Sequence, residues 1–302
     1  MKIHHDLTRE SRRPLVLAIG FFDGLHRGHM AIVRETRRIR RPGWRSGVLT
    51  FANHPASFLH PGEEPPMLST AQERIDDLAR AGFEECFLPP FDEHLSRMAP
   101  EAFLDTLVGL GVHGVCVGAT FRFGHKRAGD FAMMRDYLVS RDIECIGVEN
   151  VADEGERISS TRIRGLIAAG NLELADHLLG RSYEVRGSVE LGAGRGHDLG
   201  FPTANIRVPE KLLPKDGVYS AVARYDGRDY AALASIGTNP QFNGDRRTVE
   251  AWLRDFHETI YGRELALRDL RFVREQRIFA DVDALIGQMQ CDLAAVAYPN
   301  YG

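Results

Sequence analysis

The chain has no apolar run long enough to cross a bilayer and no secretory signal pattern at its start. Membrane and exported classes are therefore not expected. Cysteine is scarce: the four residues Cys86, Cys116, Cys145 and Cys291 show no metal-ligand spacing. The first three lie in apolar segments and read as core thiols, which makes a reducing, cytoplasmic location the default. Neither sign of charge is in large excess, the formal net charge being −4, and this argues against a dedicated nucleic-acid binder. One local arginine cluster exists, at Arg34, Arg37, Arg38, Arg40, Arg41 and Arg45. It reads first as the solvated face and end of a helix, where cations suit the dipole, and only second as a nucleic-acid patch. No low-complexity linker is visible.

What the sequence does have is length for two domains, 302 residues. Up to about residue 180, strand-like and helical stretches alternate. Strands are predicted over Leu15–Ile19, Ser46–Phe51, Glu84–Leu88, Gly114–Val117 and Asp142–Val148. Helices are predicted over Ala71–Ala81, from Pro100 and over Asp130–Val139. This alternation predicts a parallel sheet with helices on both faces, and ligands outside the carboxyl ends of its strands. The stretch from Leu15 to His29 is the most informative. An apolar strand breaks at Gly20 and Gly24, His26 and His29 follow three residues apart with Gly28 between them, and apolar residues then recur at helical spacing. A helix start offers unpaired N–H groups to an anion, both imidazoles share a face there, and Gly28 lets a phosphate approach the backbone. The bland alternative is an ordinary strand–helix turn carrying two unrelated histidines. At Ile158–Arg164, I-S-S-T-R-I-R reads either as a simply capped helix or as a triphosphate clamp of hydroxyls and guanidinium.

From Tyr183 the hydrophobic period changes to two, which sets the expected boundary near Ser182. Strands are predicted over Val218–Tyr225, Asp229–Ile236, Thr248–Leu253 and Leu265–Val273, with a hairpin turn at Asp226-Gly227 and a terminal helix. Antiparallel strands plus one helix predict a small closed barrel. Gly192, Gly194 and Gly196 follow a strand but do not feed a helix, so a dinucleotide-binding turn is excluded.

Two strings carry a family resemblance. G-F-F-D-G-L-H-R-G-H, Gly20–His29, resembles the nucleotidyltransferase signature of bacterial bifunctional riboflavin kinase/FAD synthetases. G-F-P-T-A-N, Gly200–Asn205, resembles their riboflavin kinase signature. F-A-N-H-P at Phe51–Pro55, V-G-A-T-F-R-F-G from Val117, I-S-S-T, G-V-Y, I-G-T-N-P and T-V-E fall in family order. Departures stand at Phe21, Asn53 and Thr120. The resemblance implies an N-terminal Rossmann-like nucleotidyltransferase domain (1–182), with a parallel sheet, and a C-terminal kinase barrel (183–302). It implies riboflavin, FMN and ATP as small-molecule substrates, and Mg²⁺ as the metal. His26, His29 and Arg164 would serve adenylyl transfer. Gly20, Phe22, Asp23, Gly28, Ser160 and Thr161 would bind ATP there, and His54, Pro55, Phe121 and Phe123 the flavin. In the barrel, Gly194, Arg195, Gly196 and Pro202 would cover ATP, Thr203 and Asn205 would hold Mg²⁺, and Glu250 would be the general base. Two other readings are a kinase with an impaired first domain, and a flavin-binding regulator without turnover. Self-association is left open.

Overall fold

The computed structural model describes residues 1–8, 13–192, 202–238, 247–277, 279 and 282–295. By backbone contacts it divides into two compact units, Met1–Ser160 and Thr161–Gly302.

The first unit is built on a six-stranded parallel sheet. Its strands are β1 (Lys2–His4), β2 (Leu15–Ile19), β3 (Arg45–Leu49), β4 (Glu85–Phe87), β5 (Val112–Gly118) and, after two short strands β6 (Arg122–Phe123) and β7 (Gly129–Asp130), β8 (Glu144–Val148). The spatial order is β1-β4-β3-β2-β5-β8. All five residues of β2 are buried, which explains why it reads as a continuous apolar run rather than an alternation. Leu15, Leu17 and Ile19 pack on one face with Phe103, Leu104, Met134 and Leu138, while Val16 and Ala18 pack on the other with Ile32, Val33 and Leu78. Those partners come from helices α1 (Arg27–Ile39), α3 (Ala71–Arg80), α5 (Pro100–Gly109) and α6 (Phe131–Val139); two short helices, α2 (Pro55–Leu59) and α4 (Glu93–Arg97), lie between them in the chain. The strand order reverses between β2 and β5, so the crevice at their carboxyl ends is the switch point where such sheets hold ligands. A small hairpin, β9 (Ala152–Asp153) and β10 (Glu156–Arg157), precedes α7 (Ser160–Ala168).

Strand β1, α2 and α4 are not in the sequence reading. Each is three to five residues long, too short to display a period.

The second unit holds α7, α8 (Leu172–Leu179) and a closed six-stranded barrel. The barrel strands are β11 (Val185–Glu190), β12 (Thr203–Arg207), β13 (Gly217–Tyr225), β14 (Arg228–Thr238), β15 (Arg247–Leu253) and β16 (Glu264–Arg274), followed by α9 (Val282–Ala295). Their spatial order is β11-β12-β15-β14-β13-β16. The Asp226-Gly227 turn has both residues at positive φ, 46° and 75°, the geometry that a two-residue hairpin with the right twist requires. The contact boundary falls earlier than the change of hydrophobic period at Ser182. Helix α8 is the reason: Asp176 accepts from the Tyr183 amide at 2.7 Å and from Arg271 of β16 at 3.1 Å, tying the helix to the barrel.

Candidate active sites

The turn after β2 is held in an uncommon backbone. Phe22 and Leu25 have φ of 59° and 38°, values that cost a bulky residue energy unless the surroundings fix them. Phe22 supplies part of that fixing: its ring is fully buried and meets the edge of His29 at 5.3 Å. His26 is the N-cap of α1, and its Nδ1 accepts from the His29 amide at 3.2 Å. A nitrogen that accepts from a backbone N–H carries no proton, so neutral His26 has its proton on Nε2. The His26 and His29 rings stack with centroids 3.6 Å apart and planes 15° from parallel. His29 Nδ1 is buried with no hydrogen-bond partner. Burial, then the neighbouring His26 and Arg157, push the His29 pKa well below its ordinary value. The result is a neutral imidazole pair at a helix start, ready to meet an anion. Arg157 is absent from the sequence reading, because only the β9–β10 hairpin brings it near His29.

Gly20 donates its N–H to Leu49 O at 3.1 Å, continuing the sheet. A Cβ at Gly28 would lie 3.1 Å from the His26 ring, so the glycine preserves the histidine stack. Asp23 is buried, and its carboxylate is engaged within the protein. It accepts from the Leu68 amide at 3.0 and 3.1 Å, from the Ser69 amide at 3.1 Å and from the Ser69 hydroxyl at 3.2 Å. Ser160 Oγ donates to Asp23 O at 3.1 Å. Asp23 thus joins the turn to the entrance of α3 through its carboxylate and to Ser160, the first residue of α7, through its carbonyl. Thr161 and Arg164 fall in the second compact unit, exposed and half-buried respectively.

His54 and Pro55 open α2, His54 as N-cap accepting from the Ala56 amide at 3.1 Å. With Nδ1 an acceptor, neutral His54 carries its proton on Nε2. Phe121 and Phe123 stack at 5.9 Å, and Phe123 is buried against Phe103. A cavity of about 360 Å³ opens at the end of β5, lined by Ala119, Thr120, Phe121, Arg122, Asp130, Phe131 and Ala132. Of the predicted flavin contacts, only Phe121 lines it. The departures from the family pattern are built into the packing. Phe21 lies between the His54 ring, 4.7 Å away, and the buried Arg74 guanidinium, 4.4 Å away. Asn53 pairs with the backbone of Phe91, accepting at 2.8 Å and donating at 3.1 Å.

In the barrel, Gly194, Arg195 and Gly196 lie outside the described residues, and Pro202 is exposed just before β12. Val249, Ala251 and Leu253 of β15 point into the core, so Glu250 lies on the outer face. Directly across from Glu250 on β12 is Asn205, and Thr203 follows on the same face, opposite Trp252. The Asn205 amide lies over Gly192, where any Cβ would overlap it. An amide, a hydroxyl and a carboxylate are hard oxygen donors of the kind Mg²⁺ takes beside water and phosphate oxygens, and all three residues are partly exposed. Among the described residues no group of three or more His, Cys, Asp or Glu could cage a metal.

A parallel α/β unit with a histidine-capped helix at its switch point, joined to a barrel with an amide–carboxylate pair on its outer face, is the architecture of a two-site nucleotide-dependent transferase. The family models agree: FAD synthetase matches residues 8–162 and riboflavin kinase residues 179–298. The bifunctional riboflavin kinase/FMN adenylyltransferase of Listeria monocytogenes is 36% identical over 297 residues, covering 96% of this chain and 94% of that one. The enzyme of the same description from Pseudomonas fluorescens is 34% identical, with 96% and 94% covered. A crystal structure from Streptococcus pneumoniae, described as a macrolide-efflux protein, superposes with a TM-score of 0.88 at 30% identity over 97% of both chains. That description belongs to the other protein; the shared fold is what the likeness adds. Among the described residues, no helix of this chain is long and apolar enough to cross a membrane. The chain belongs to the bifunctional riboflavin kinase/FMN adenylyltransferase family.

Proposed function

We propose that the barrel unit phosphorylates riboflavin to FMN and that the α/β unit adenylylates FMN to FAD, ATP being co-substrate in both. The observation that carries the adenylyltransferase reading is the neutral His26–His29 stack at the helix start. A phosphate oxygen of FMN attacks the α-phosphorus of ATP, and pyrophosphate leaves. His26 donates from Nε2 to a phosphate oxygen. His29 takes up charge as the anion arrives, and Ser160, in the same unit, helps to hold the leaving pyrophosphate; the roles of Thr161 and Arg164 rest on the family resemblance. Gly20, Phe22, Asp23 and Gly28 serve ATP by shaping the turn, since the Asp23 carboxylate is occupied by Leu68 and Ser69. His54, Pro55, Phe121 and Phe123 form the flavin side. Catalysis here is positioning and charge stabilisation, with no covalent intermediate.

In the barrel, Glu250 accepts the proton of the riboflavin 5′-hydroxyl as that oxygen attacks the γ-phosphorus and ADP leaves. Thr203 and Asn205 would hold Mg²⁺, which when bound neutralises the ATP phosphates. Gly194, Arg195, Gly196 and Pro202 belong to the ATP loop of this reading. The functional boundary lies near Ser182, supported by the two family matches, which stop at residue 162 and resume at 179. A cytoplasmic setting fits four unpaired cysteines. Purified protein incubated with riboflavin and Mg-ATP tests all of this once the flavins are separated by chromatography. FAD is the expected product; FMN alone would discard the adenylyltransferase reading, unchanged riboflavin would discard the kinase reading, and supplied FMN that yields no FAD would discard the transferase by itself.

A further inference from the structure

The barrel's register sets a line of polar groups across neighbouring strands. Glu190 stands opposite Asn205, Asn205 opposite Glu250, and Glu250 opposite Ser235. Cross-strand partners share a face, so this line runs along the outside of the barrel in a fixed order. Beyond it, the strap after β16 lays Gln276 over β14, and Gln276 Nε2 donates to Ser235 Oγ at 3.0 Å. Gly237, two residues along the same face, makes room, since a Cβ there would overlap the Gln276 amide. The strap is pinned by Arg274, which grips the buried Asp292 of α9 with Nε at 3.0 Å from both carboxylate oxygens and a terminal nitrogen at 2.7 Å. An exposed glutamine held by a hydroxyl, a glycine and an anchored strap is a placed amide.

We infer that Ser235 and Gln276 recognise the ribityl hydroxyls of riboflavin, so that the Asn205–Glu250–Ser235–Gln276 line sets the direction in which the substrate lies. This rests on the assignment of Glu250 as the base for the 5′-hydroxyl. With that hydroxyl at Glu250 and the phosphate donor on the Asn205 side, the remaining polyol runs on toward Ser235, the next polar group across the strands. One inter-strand step, about 4.8 Å, is a reach of a few carbon atoms and brings the middle hydroxyls to Ser235. Gln276 offers both an N–H and a carbonyl, the combination suited to vicinal hydroxyls. Ser235, accepting from Gln276, keeps its own proton free to donate to the substrate.

The test compares riboflavin with a flavin carrying a 5-hydroxypentyl chain, which retains the terminal hydroxyl and lacks the other three. Dissociation constants are read from flavin fluorescence for the full chain and for Gln276→Ala, Ser235→Ala and Gly237→Ala. The third variant displaces the Gln276 amide without altering it. Each variant is expected to weaken riboflavin binding about three- to tenfold, the range of one neutral hydrogen bond, and to leave the hydroxypentyl flavin unchanged. Weakening of both flavins alike, or of neither, overturns the assignment. Binding needs no turnover. Selective binding without FMN formation would therefore discard Glu250 as base while retaining the polyol site, and turnover without selectivity would do the reverse.

Discussion

Replacing Asp23 with asparagine keeps the shape of the side chain and removes its charge, and the consequence follows from three donors. The Leu68 amide, the Ser69 amide and the Ser69 hydroxyl all point at the carboxylate. A carboxamide oxygen in the Oδ1 position still meets all three, the Leu68 N–H at 3.0 Å included, so what is lost is the charge and the second Leu68 contact, 3.1 Å from Oδ2. Hydrogen bonds to a charged group contribute about 1.5–3 kcal/mol each, and neutral ones about 0.5–1.5 kcal/mol. Three bonds each weakened by about 1 kcal/mol leave a loss of about 2–4 kcal/mol. Arg74 adds to it, because its buried guanidinium has an unpaired Nε and feels the Asp23 charge. For a unit of this size the melting temperature should fall by about 4–16 °C. Trp44 lies in the first unit and Trp252 in the second, so a Trp252→Phe background makes tryptophan fluorescence report the α/β unit alone. Adenylyl transfer should fall with it, since the strained Phe22 and Leu25 backbone and the His26 cap depend on this tie. Kinase activity should be unchanged. A melting temperature within 1–2 °C of the parent, with transfer intact, would refute the reasoning.

Other expectations follow from the two sites. His26→Ala removes both an N-cap and a phosphate donor, and adenylyl transfer should drop at least about tenfold with kinase turnover spared, as measured by FAD and FMN formation. Glu250→Gln should cut riboflavin phosphorylation about 10²–10⁴-fold in an assay of FMN release and leave transfer from supplied FMN intact. His29 titrates well below its ordinary value in the folded chain, while unfolded histidine protonates near pH 6.5. The unfolded state therefore takes up a proton first. The stability from neutral His29 is fully present above about pH 6.5 and is lost as the pH falls from there toward the folded pKa. Denaturant unfolding across pH 5–8 should show parent and His29→Gln converging on the acid side; parallel curves would contradict the assignment.

The parts legible in the chain are those that local chemistry dictates. The run Leu15–Ile19 has strand length and bulk, and β2 has those bounds. Asp226-Gly227 had to be a tight hairpin turn, and the alternation of Val249, Ala251 and Leu253 had to put Glu250 on the far side from the core. His26 and His29 were identifiable because three-residue spacing at a helix start admits few arrangements. The helix bounds were less legible at their ends, where α7 begins at Ser160 and Ser159 precedes it.

Tertiary structure alone decided the rest. No spacing could show that the Asp23 carboxylate faces Leu68 and Ser69, 45 and 46 residues away, rather than a nucleotide. The same holds for Phe21 between His54 and Arg74, and for Gln276 over Ser235, 41 residues apart. Periodicity records which way a side chain faces along its own element. Which residue it meets there is set by strand order and register, and these depend on how the whole sheet or barrel closes.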